Sequence, residues 1–231
     1  MKSPVLLAVV LAVIALLAFG LYQALVVAPT EQTMGDVQRI FYYHVPSAWT
    51  GMLLFFTNFL ASIWYLFKRT SASDALAATT AEVGLVFWTI VLITGPIWAR
   101  PVWGIWWTWD ARLTSTLVLW LIYVSYLVLR RFSTGGQTPV LAAALAVFGF
   151  VDVPIVYLSI WFFRTQHPQP VIGGGGSLDP AMWHAVLWNW LAFSALAGLL
   201  CWLRYNLERK QHDLEETLAL EALMDSAGGR T

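Results

Sequence analysis

The chain has 231 residues, of which 59% are hydrophobic and 11% are charged, and its formal net charge is zero. Because a soluble domain carries about a quarter charged residues, this composition indicates an integral membrane protein without a soluble catalytic domain. No basic patch suggests nucleic acid as a partner, and the single cysteine, Cys201, excludes a disulfide within the chain.

Six apolar stretches are long enough to cross a bilayer, which takes about 20 helical residues per span. They are residues 5–28, 48–67, 82–98, 114–129, 139–163 and 183–203. We expect the first to be a retained helix, because its apolar run is longer than that of a usual signal peptide and no clear cleavage site follows. The sequence therefore predicts an all-α fold, with one six-helix membrane domain over residues 1–205 and an amphipathic or disordered cytoplasmic tail over 206–231.

The lysines and arginines favour one orientation in the membrane, because such residues are enriched in cytoplasmic loops. With the N-terminus inside, nine of them are cytoplasmic: Lys2, Lys68, Arg69, Arg130, Arg131, Arg204, Arg209, Lys210 and Arg230. The other side holds four: Arg39, Arg100, Arg112 and Arg164. Both termini are thus predicted to be cytoplasmic, and the loops 29–47, 99–113 and 164–182 to face outward.

The second outer loop is crowded with tryptophan. Five of the 14 tryptophans lie in residues 98–109, a density greater than an aromatic belt requires. At about 100° per residue, a short amphipathic helix within 101–115 would present one flat face and point Trp109 elsewhere. That face would consist of Trp103, Trp106, Trp107 and Asp110. We expect Asp110 and Arg112 to pair with each other or with groups of a ligand.

Three of the four histidines, namely His44, His167 and His184, lie in or beside the outer loops. A flat aromatic platform on which imidazoles converge predicts a haem site, because imidazole is a common axial ligand of haem iron. His44 stands just before the second span. Spacing leaves two alternatives for a second ligand, His167 after the fifth span and His184 at the start of the sixth.

Two carboxylates lie in or near the predicted membrane region. Asp152 is inside the fifth span, where an ionised group is costly unless it is paired. Glu82 begins the predicted third span, where a helix N-terminus favours negative charge. We interpret Glu82 as structural and assign Asp152 to structure or packing.

Several segments together resemble the CcmC family, the haem-handling membrane proteins of the system I cytochrome c maturation pathway. Residues 103–115 match the family's tryptophan-rich WWD signature, and residues 44–49 resemble the segment that carries its first histidine. Residues 152–167 resemble the stretch leading to its second histidine, and residues 179–182 are also similar. The resemblance covers about residues 35–205, with departures at Gln166 and Pro168, where Leu and Gln are expected.

The resemblance implies that haem b is held as transient cargo at the outer, periplasmic face of a bacterial inner membrane. It implies His44 and His167 as the axial ligands of the iron, with His184 as the rival. It implies a haem platform formed by Trp103, Gly104, Trp106, Trp107, Trp109, Asp110 and Arg112. Arg100 and Arg164 are then candidates for contacts with the haem propionates.

The resemblance also implies partners. Haem would be delivered to the haem chaperone CcmE, beside the ABC-type subunits CcmA and CcmB and the small protein CcmD. Since the chain has no phosphate-binding loop, ATP hydrolysis would belong to a partner, and no enzymatic activity is expected of the chain itself.

Three other functions remain as alternatives. A larger WWD-type cytochrome c assembly factor would need more helices and further histidines. A b-type electron-transfer subunit would place paired histidines deep within its helices. A haem permease or exporter would need polar residues along a path at the bilayer midplane, where only Asp152 is available.

Overall fold

The computed structural model describes residues 4–133, 135–167 and 178–228, and this part of the chain contains helices but no strand. Its α-helices are α1 (Pro4–Tyr22), α2 (Phe41–Lys68), α3 (Ser71–Trp103), α4 (Ala111–Phe132), α5 (Thr138–Phe150), α6 (Asp152–Phe162) and α7 (Pro180–Gly228). A π-helical segment, Gln23–Val27, extends α1, and a 3₁₀ segment, Asp36–Ile40, precedes α2.

Within the described residues, six helical segments are long and apolar enough to cross a membrane. They are Pro4–Val27, Asp36–Lys68, Ser71–Trp103, Ala111–Phe132, Thr138–Phe162 and Pro180–Ala222. This finding confirms the prediction of an all-α protein with six spans.

Because the chain crosses six times, the connections between successive spans lie alternately at the two ends of the bundle. We call the end that carries residues 28–35, 104–110 and 163–167 the site end, and the other the tail end. The tail end carries the short junctions after α2 and α4 and the last turns of α7. The run of four glycines at 173–176 belongs to the connection before α7 and lies outside the described residues.

α2 and α3 form a long antiparallel hairpin with a two-residue junction. Arg69 takes a left-handed conformation (φ 54°) that ends α2, and the Thr70 hydroxyl caps α3 by accepting from the Ser73 N–H. Along the hairpin the helices approach closely, since a Cβ added to Gly84 would lie 2.8 Å from the ring of Phe55. The hairpin therefore fixes which residues of α2 face which residues of α3.

The third span begins earlier than its apolar pattern predicted. Residues 71–81 are helical and mostly buried, because they are small or lightly polar side chains that fit the narrow space against α2. Glu82 is therefore not at a helix N-terminus but inside α3, where it accepts from Arg204 Nε of α7 at 2.6 Å. The prediction that Glu82 begins the helix was wrong.

An aromatic cluster joins α2, α3 and α4 in the middle of the bundle. The rings of Phe55 and Tyr123 stack with centroids 3.7 Å apart, and Trp88 packs against Phe55. Trp88 also donates its indole N–H to the Thr116 carbonyl at 2.9 Å. These contacts hold the three helices in the arrangement that carries the site.

The fifth span is interrupted between α5 and α6. Pro154 has no N–H to offer the carbonyl of Phe150, so the helical ladder is broken near Val151. The sequence predicted one uninterrupted helix here. Asp152 begins α6, and its Oδ2 is buried without a hydrogen-bond partner in the part of the chain that the structure describes.

At the tail end an ionic network fastens α7 to α3 and α4. Arg130 of α4 donates to both carboxylate oxygens of Asp74 at 2.7 and 2.8 Å, and lies 3.6 Å from Glu208 of α7. Arg204 pairs with Glu208 at 2.7 Å and with Glu82. With 49 residues, α7 is about 73 Å long and exceeds the thickness of a bilayer.

The tryptophan segment does not form the separate helix predicted from its periodicity. α3 runs on to Trp103, and Gly104 ends it with φ 79° while its N–H bonds to the Arg100 carbonyl. Asp110 then caps α4 by accepting from the Leu113 N–H at 2.9 Å. A helix end and a helix start only seven residues apart leave 104–110 as an irregular loop, which we call the tryptophan loop.

Candidate functional site

A cavity of about 440 Å³ opens at the site end among α2, α3, α4, α6 and the tryptophan loop. Six tryptophans line it: Trp49, Trp88, Trp98, Trp103, Trp106 and Trp107. The same walls carry the side chains of His44, His167 and Arg112. The cavity thus combines broad apolar surfaces with two imidazoles and a guanidinium, and its size is typical of a small-molecule site.

His44 lies in the first turn of α2, because the helix begins at Phe41 and not after the histidine as the sequence suggested. Its Nδ1 is 2.8 Å from the hydroxyl oxygen of Thr94 on α3. The backbone of Gly95 passes beside the ring, where an added Cβ would lie 3.6 Å from the His44 Cε1. The ring is therefore held between two long helices.

His167 reaches the cavity from the irregular segment that follows α6. Its backbone N–H donates to the Thr165 hydroxyl oxygen at 3.1 Å. His184 lies in α7 and is exposed, and the cavity lining does not include it. The structure thus brings together His44 and His167, which are far apart in the sequence, and keeps His184 apart from them.

Asp110 ties the tryptophan loop to the segment that carries His167. While Oδ1 caps α4, Oδ2 accepts from the Thr165 hydroxyl at 2.9 Å, from the Thr108 hydroxyl at 2.9 Å and from the Gln166 N–H at 3.2 Å. We call these contacts of Oδ2 the Asp110 tether.

The same contacts set the ionisation of the carboxyl. Burial acts to raise the pKa of Asp110, but the hydrogen bonds from Leu113, Thr165, Thr108 and Gln166 outweigh it and hold the pKa below its usual range. The carboxylate form therefore maintains the tether at neutral pH.

Arg112 and Asp110 do not form an ion pair with each other, which leaves the second alternative from the sequence, pairing with groups of a ligand. The Nη1 of Arg112 donates to the carbonyls of Val156 and Tyr157 on α6 at 3.0 and 3.4 Å, and no ion pair joins Arg112 and Asp110 in the described part of the chain. α6 packs beside α4, which brings these carbonyls within reach of Arg112. Arg112 therefore lines the cavity with no carboxylate at ion-pair distance among the described residues.

The tryptophans of the loop occupy different positions. Trp107 lines the cavity, and its buried indole N–H has no hydrogen-bond partner among the described residues. Trp106 lines the cavity but is 59% exposed, whereas Trp109 is 76% exposed and is not part of the lining. The rings of Trp107 and Trp109 meet edge to face with centroids 5.8 Å apart.

Other predicted site residues lie outside the cavity wall. Arg100 donates to the Gly104 carbonyl and is exposed, and Arg164 is also exposed. Gly104 serves as the end of α3. Thr94, which contacts His44, was not singled out from the sequence; the register of the α2–α3 hairpin is the signal that could have revealed it.

The chain is similar to known proteins over most of its length. The family model described as heme exporter protein C, CcmC, matches residues 1–219, a range that includes every residue lining the cavity. The chain is 37% identical over 188 residues to heme exporter protein C of Bradyrhizobium diazoefficiens, covering 80% of this chain and 71% of that protein. It is 35% identical over 178 residues to heme exporter protein C of Escherichia coli strain K12, covering 77% and 72%. A ccmC-like mitochondrial protein of cytochrome c biosynthesis from Marchantia polymorpha is 31% identical over 185 residues, covering 80% and 79%.

Proposed function

The chain belongs to the CcmC family of heme exporter proteins C, and from this premise we propose that its cavity binds haem as transient cargo through His44 and His167. As a member of this family it is a multi-pass membrane protein that serves haem transport in cytochrome c maturation. Our proposal concerns which residues bind the haem, on which side of the membrane it is held and which protein accepts it.

The observation that carries the proposal is the convergence of two histidines on one aromatic cavity. Imidazole nitrogens bind haem iron axially, and indole faces stack on a flat macrocycle. Because His44 comes from α2 and His167 from the segment after α6, a ligand bound by both would bridge two parts of the bundle. The exposed position of His184 supports its role as the weaker candidate.

Two residues of the cavity lining, Arg112 and Trp107, carry donors that suit the propionates of haem. The contacts of Arg112 with α6 use only Nη1, and a guanidinium carries five N–H donors in all. The unpartnered N–H of Trp107 is a second donor. We propose that these two groups receive the propionate carboxylates, whereas Arg100 and Arg164 remain at the surface.

The proposed route of the cargo follows from the orientation of the bundle. The excess of lysine and arginine toward the tail end supports a cytoplasmic tail end and a periplasmic site end in a bacterial inner membrane. Haem b would then be presented outward to the chaperone CcmE, with CcmD and the ABC-type subunits CcmA and CcmB as companions and ATP hydrolysis in the latter. The role of this chain would be to bind haem and present it.

Absorption spectroscopy tests the ligand assignment. The protein is co-expressed with CcmE, purified from membranes, and compared with the variants His44→Ala, His167→Ala and His184→Ala. We expect a bis-histidine haem spectrum that the first two variants lose and the third retains.

The outcome that contradicts the assignment is equally clear. Loss of the spectrum in His184→Ala with retention in His167→Ala would move the second ligand to α7. A wild-type protein without haem in the presence of CcmE would refute haem binding in this cavity.

A further inference from the structure

Thr94 of α3 contacts Nδ1 of the His44 ring. In an imidazole that binds a metal through Nε2, Nδ1 is the nitrogen on the side away from the metal. The Thr94 hydroxyl oxygen lies 2.8 Å from His44 Nδ1. The same hydroxyl lies 2.7 Å from the Ile90 carbonyl, one turn back along α3, and 3.4 Å from that of Val91. Thr94 therefore stands between an imidazole and a backbone acceptor.

The Thr94 hydroxyl can form both hydrogen bonds at once only if the hydrogens are placed in one way. A threonine hydroxyl has one hydrogen to donate and lone pairs with which to accept. If it donates to the Ile90 carbonyl, which can only accept, its oxygen accepts from His44, and the Nδ1 of His44 must carry the hydrogen. Both contacts are then satisfied at once, and Nε2 is left with a free lone pair.

We propose that Thr94 is a positioning residue that fixes the Nδ1–H tautomer and the ring orientation of His44, so that Nε2 is ready to bind haem iron. This inference rests on the proposed function, because it assigns a role relative to an iron ligand. The hydrogen bond also increases the basicity of the imidazole, as such outer contacts do at other metal-binding histidines. Thr94 itself touches neither iron nor porphyrin in this assignment.

The chain offers a matched set of variants. Thr94→Val removes the hydroxyl but keeps the branched shape, whereas Thr94→Ser keeps the hydroxyl. Thr80→Val is the control, because Thr80 is a buried threonine of the same helix that donates to the Leu76 and Ala77 carbonyls, far from the cavity.

The first measurement uses the haem-free protein with ¹⁵N-labelled histidine. Nuclear magnetic resonance distinguishes which imidazole nitrogen carries the hydrogen. We expect the Nδ1–H tautomer for His44 in the wild type, in Thr94→Ser and in Thr80→Val, and a loss of that preference in Thr94→Val. An Nε2–H tautomer in the wild type would overturn the inference even if no variant could be purified.

The second measurement uses haem titration and redox potentiometry. Thr94→Val should weaken haem binding by about 10- to 100-fold and raise the reduction potential of the bound haem, because a less basic imidazole stabilises ferric iron less. Thr94→Ser should restore both values to near wild type. Equal affinity and potential in Thr94→Val and the wild type would refute the role.

The two readouts separate this inference from the proposed function. If His44→Ala retains the haem spectrum, the ligand assignment fails, while the tautomer of His44 still reports on Thr94. If His44→Ala loses haem but Thr94→Val keeps the wild-type tautomer, affinity and potential, only the role of Thr94 fails.

Discussion

The indole N–H of Trp107 is a buried donor that the protein leaves without a partner in its described part. Such a group loses its hydrogen bonds to water on burial, and this costs about 1–3 kcal/mol unless a partner replaces them. A ligand carboxylate in the cavity would be such a partner. Because Trp107 lines the cavity, we propose that its N–H is one of the groups that receive the ligand.

Replacement of Trp107 by Phe tests this explanation, because it keeps an aromatic ring and removes the N–H. We expect haem affinity to fall by about tenfold, which corresponds to the loss of roughly one hydrogen bond to a charged group. Haem titration of the purified protein measures the change. Trp109→Phe is the matched control, since Trp109 lies in the same loop but is 76% exposed; an equal loss in both variants would argue against a specific contact of Trp107.

The sequence revealed which residue types could bind a ligand better than it revealed which side chains form hydrogen bonds with one another. The residue types that suit haem could be recognised, and the structure places His44, His167 and Arg112 around one cavity. The partners of Asp110 could not be recognised, because Thr165 and Gln166 come from a segment far along the chain. Thr94 was missed for a related reason: its contact with His44 depends on the hairpin register, which could not be derived while the third span was predicted to begin only at residue 82.

Among the larger elements, the tryptophan loop and the segment after α6 act as one unit through the Asp110 tether. Asp110→Asn tests the tether separately from the helix cap, because asparagine is as good a capping residue as aspartate. Its NH₂ group would face the Gln166 N–H, which can only donate. We expect faster hydrogen exchange at the Gln166 and His167 amides and weaker haem retention, with little change in overall thermal stability.

The control for this variant is Asp36→Asn, which changes an exposed aspartate of the site end without touching the tether. Unchanged exchange rates at residues 166 and 167 in Asp110→Asn would show that the tether does not hold the segment.

The tether also has a defined dependence on pH. Because the pKa of Asp110 is lower in the folded protein than in an unfolded chain, its contribution is complete above the ordinary aspartate pKa and is lost as the pH falls through the folded value. We therefore expect exchange at the Gln166 amide, corrected for its intrinsic rate, to stay constant near neutrality and increase only in acid. Asp110→Asn should abolish this dependence.

The membrane-spanning helices could be predicted, because long apolar runs determine them. The exact helix ends could not, because local capping residues determine those. Six spans follow from six long apolar runs, and all six are present. The tryptophan segment has helical periodicity, but Gly104 and the cap at Asp110 interrupt it. Likewise residues 71–81, most of which have small side chains and weak apolar character, belong to α3 and are mostly buried.

For the whole molecule, the proposed orientation predicts which end is accessible from the periplasm. Cys201 is first replaced by Ser, and single cysteines are introduced at the exposed positions Gln32 near the site end and Gln211 beyond the tail end. A membrane-impermeant thiol reagent applied to spheroplasts should label the cysteine at 32 and not that at 211. Permeabilised cells, in which both should react, provide the control, and the reverse pattern would invert the orientation.

The two histidines differ in how firmly the fold holds them, and this difference bears on how a haem would leave. His44 belongs to a 28-residue helix packed along α3, whereas His167 follows a segment fastened by the hydrogen bonds of Asp110. The His44 ring contacts Thr94 of α3, within a hairpin of two long helices, whereas the segment before His167 is tied to the tryptophan loop by hydrogen bonds to a carboxylate, worth about 1.5–3 kcal/mol each. If haem binds as proposed, His44 would hold it from the hairpin and His167 from the segment that the Asp110 tether fastens, so loss of the tether would affect the hold of His167 and not that of His44. The residence time of haem would then depend on the Asp110 tether as well as on the two histidines.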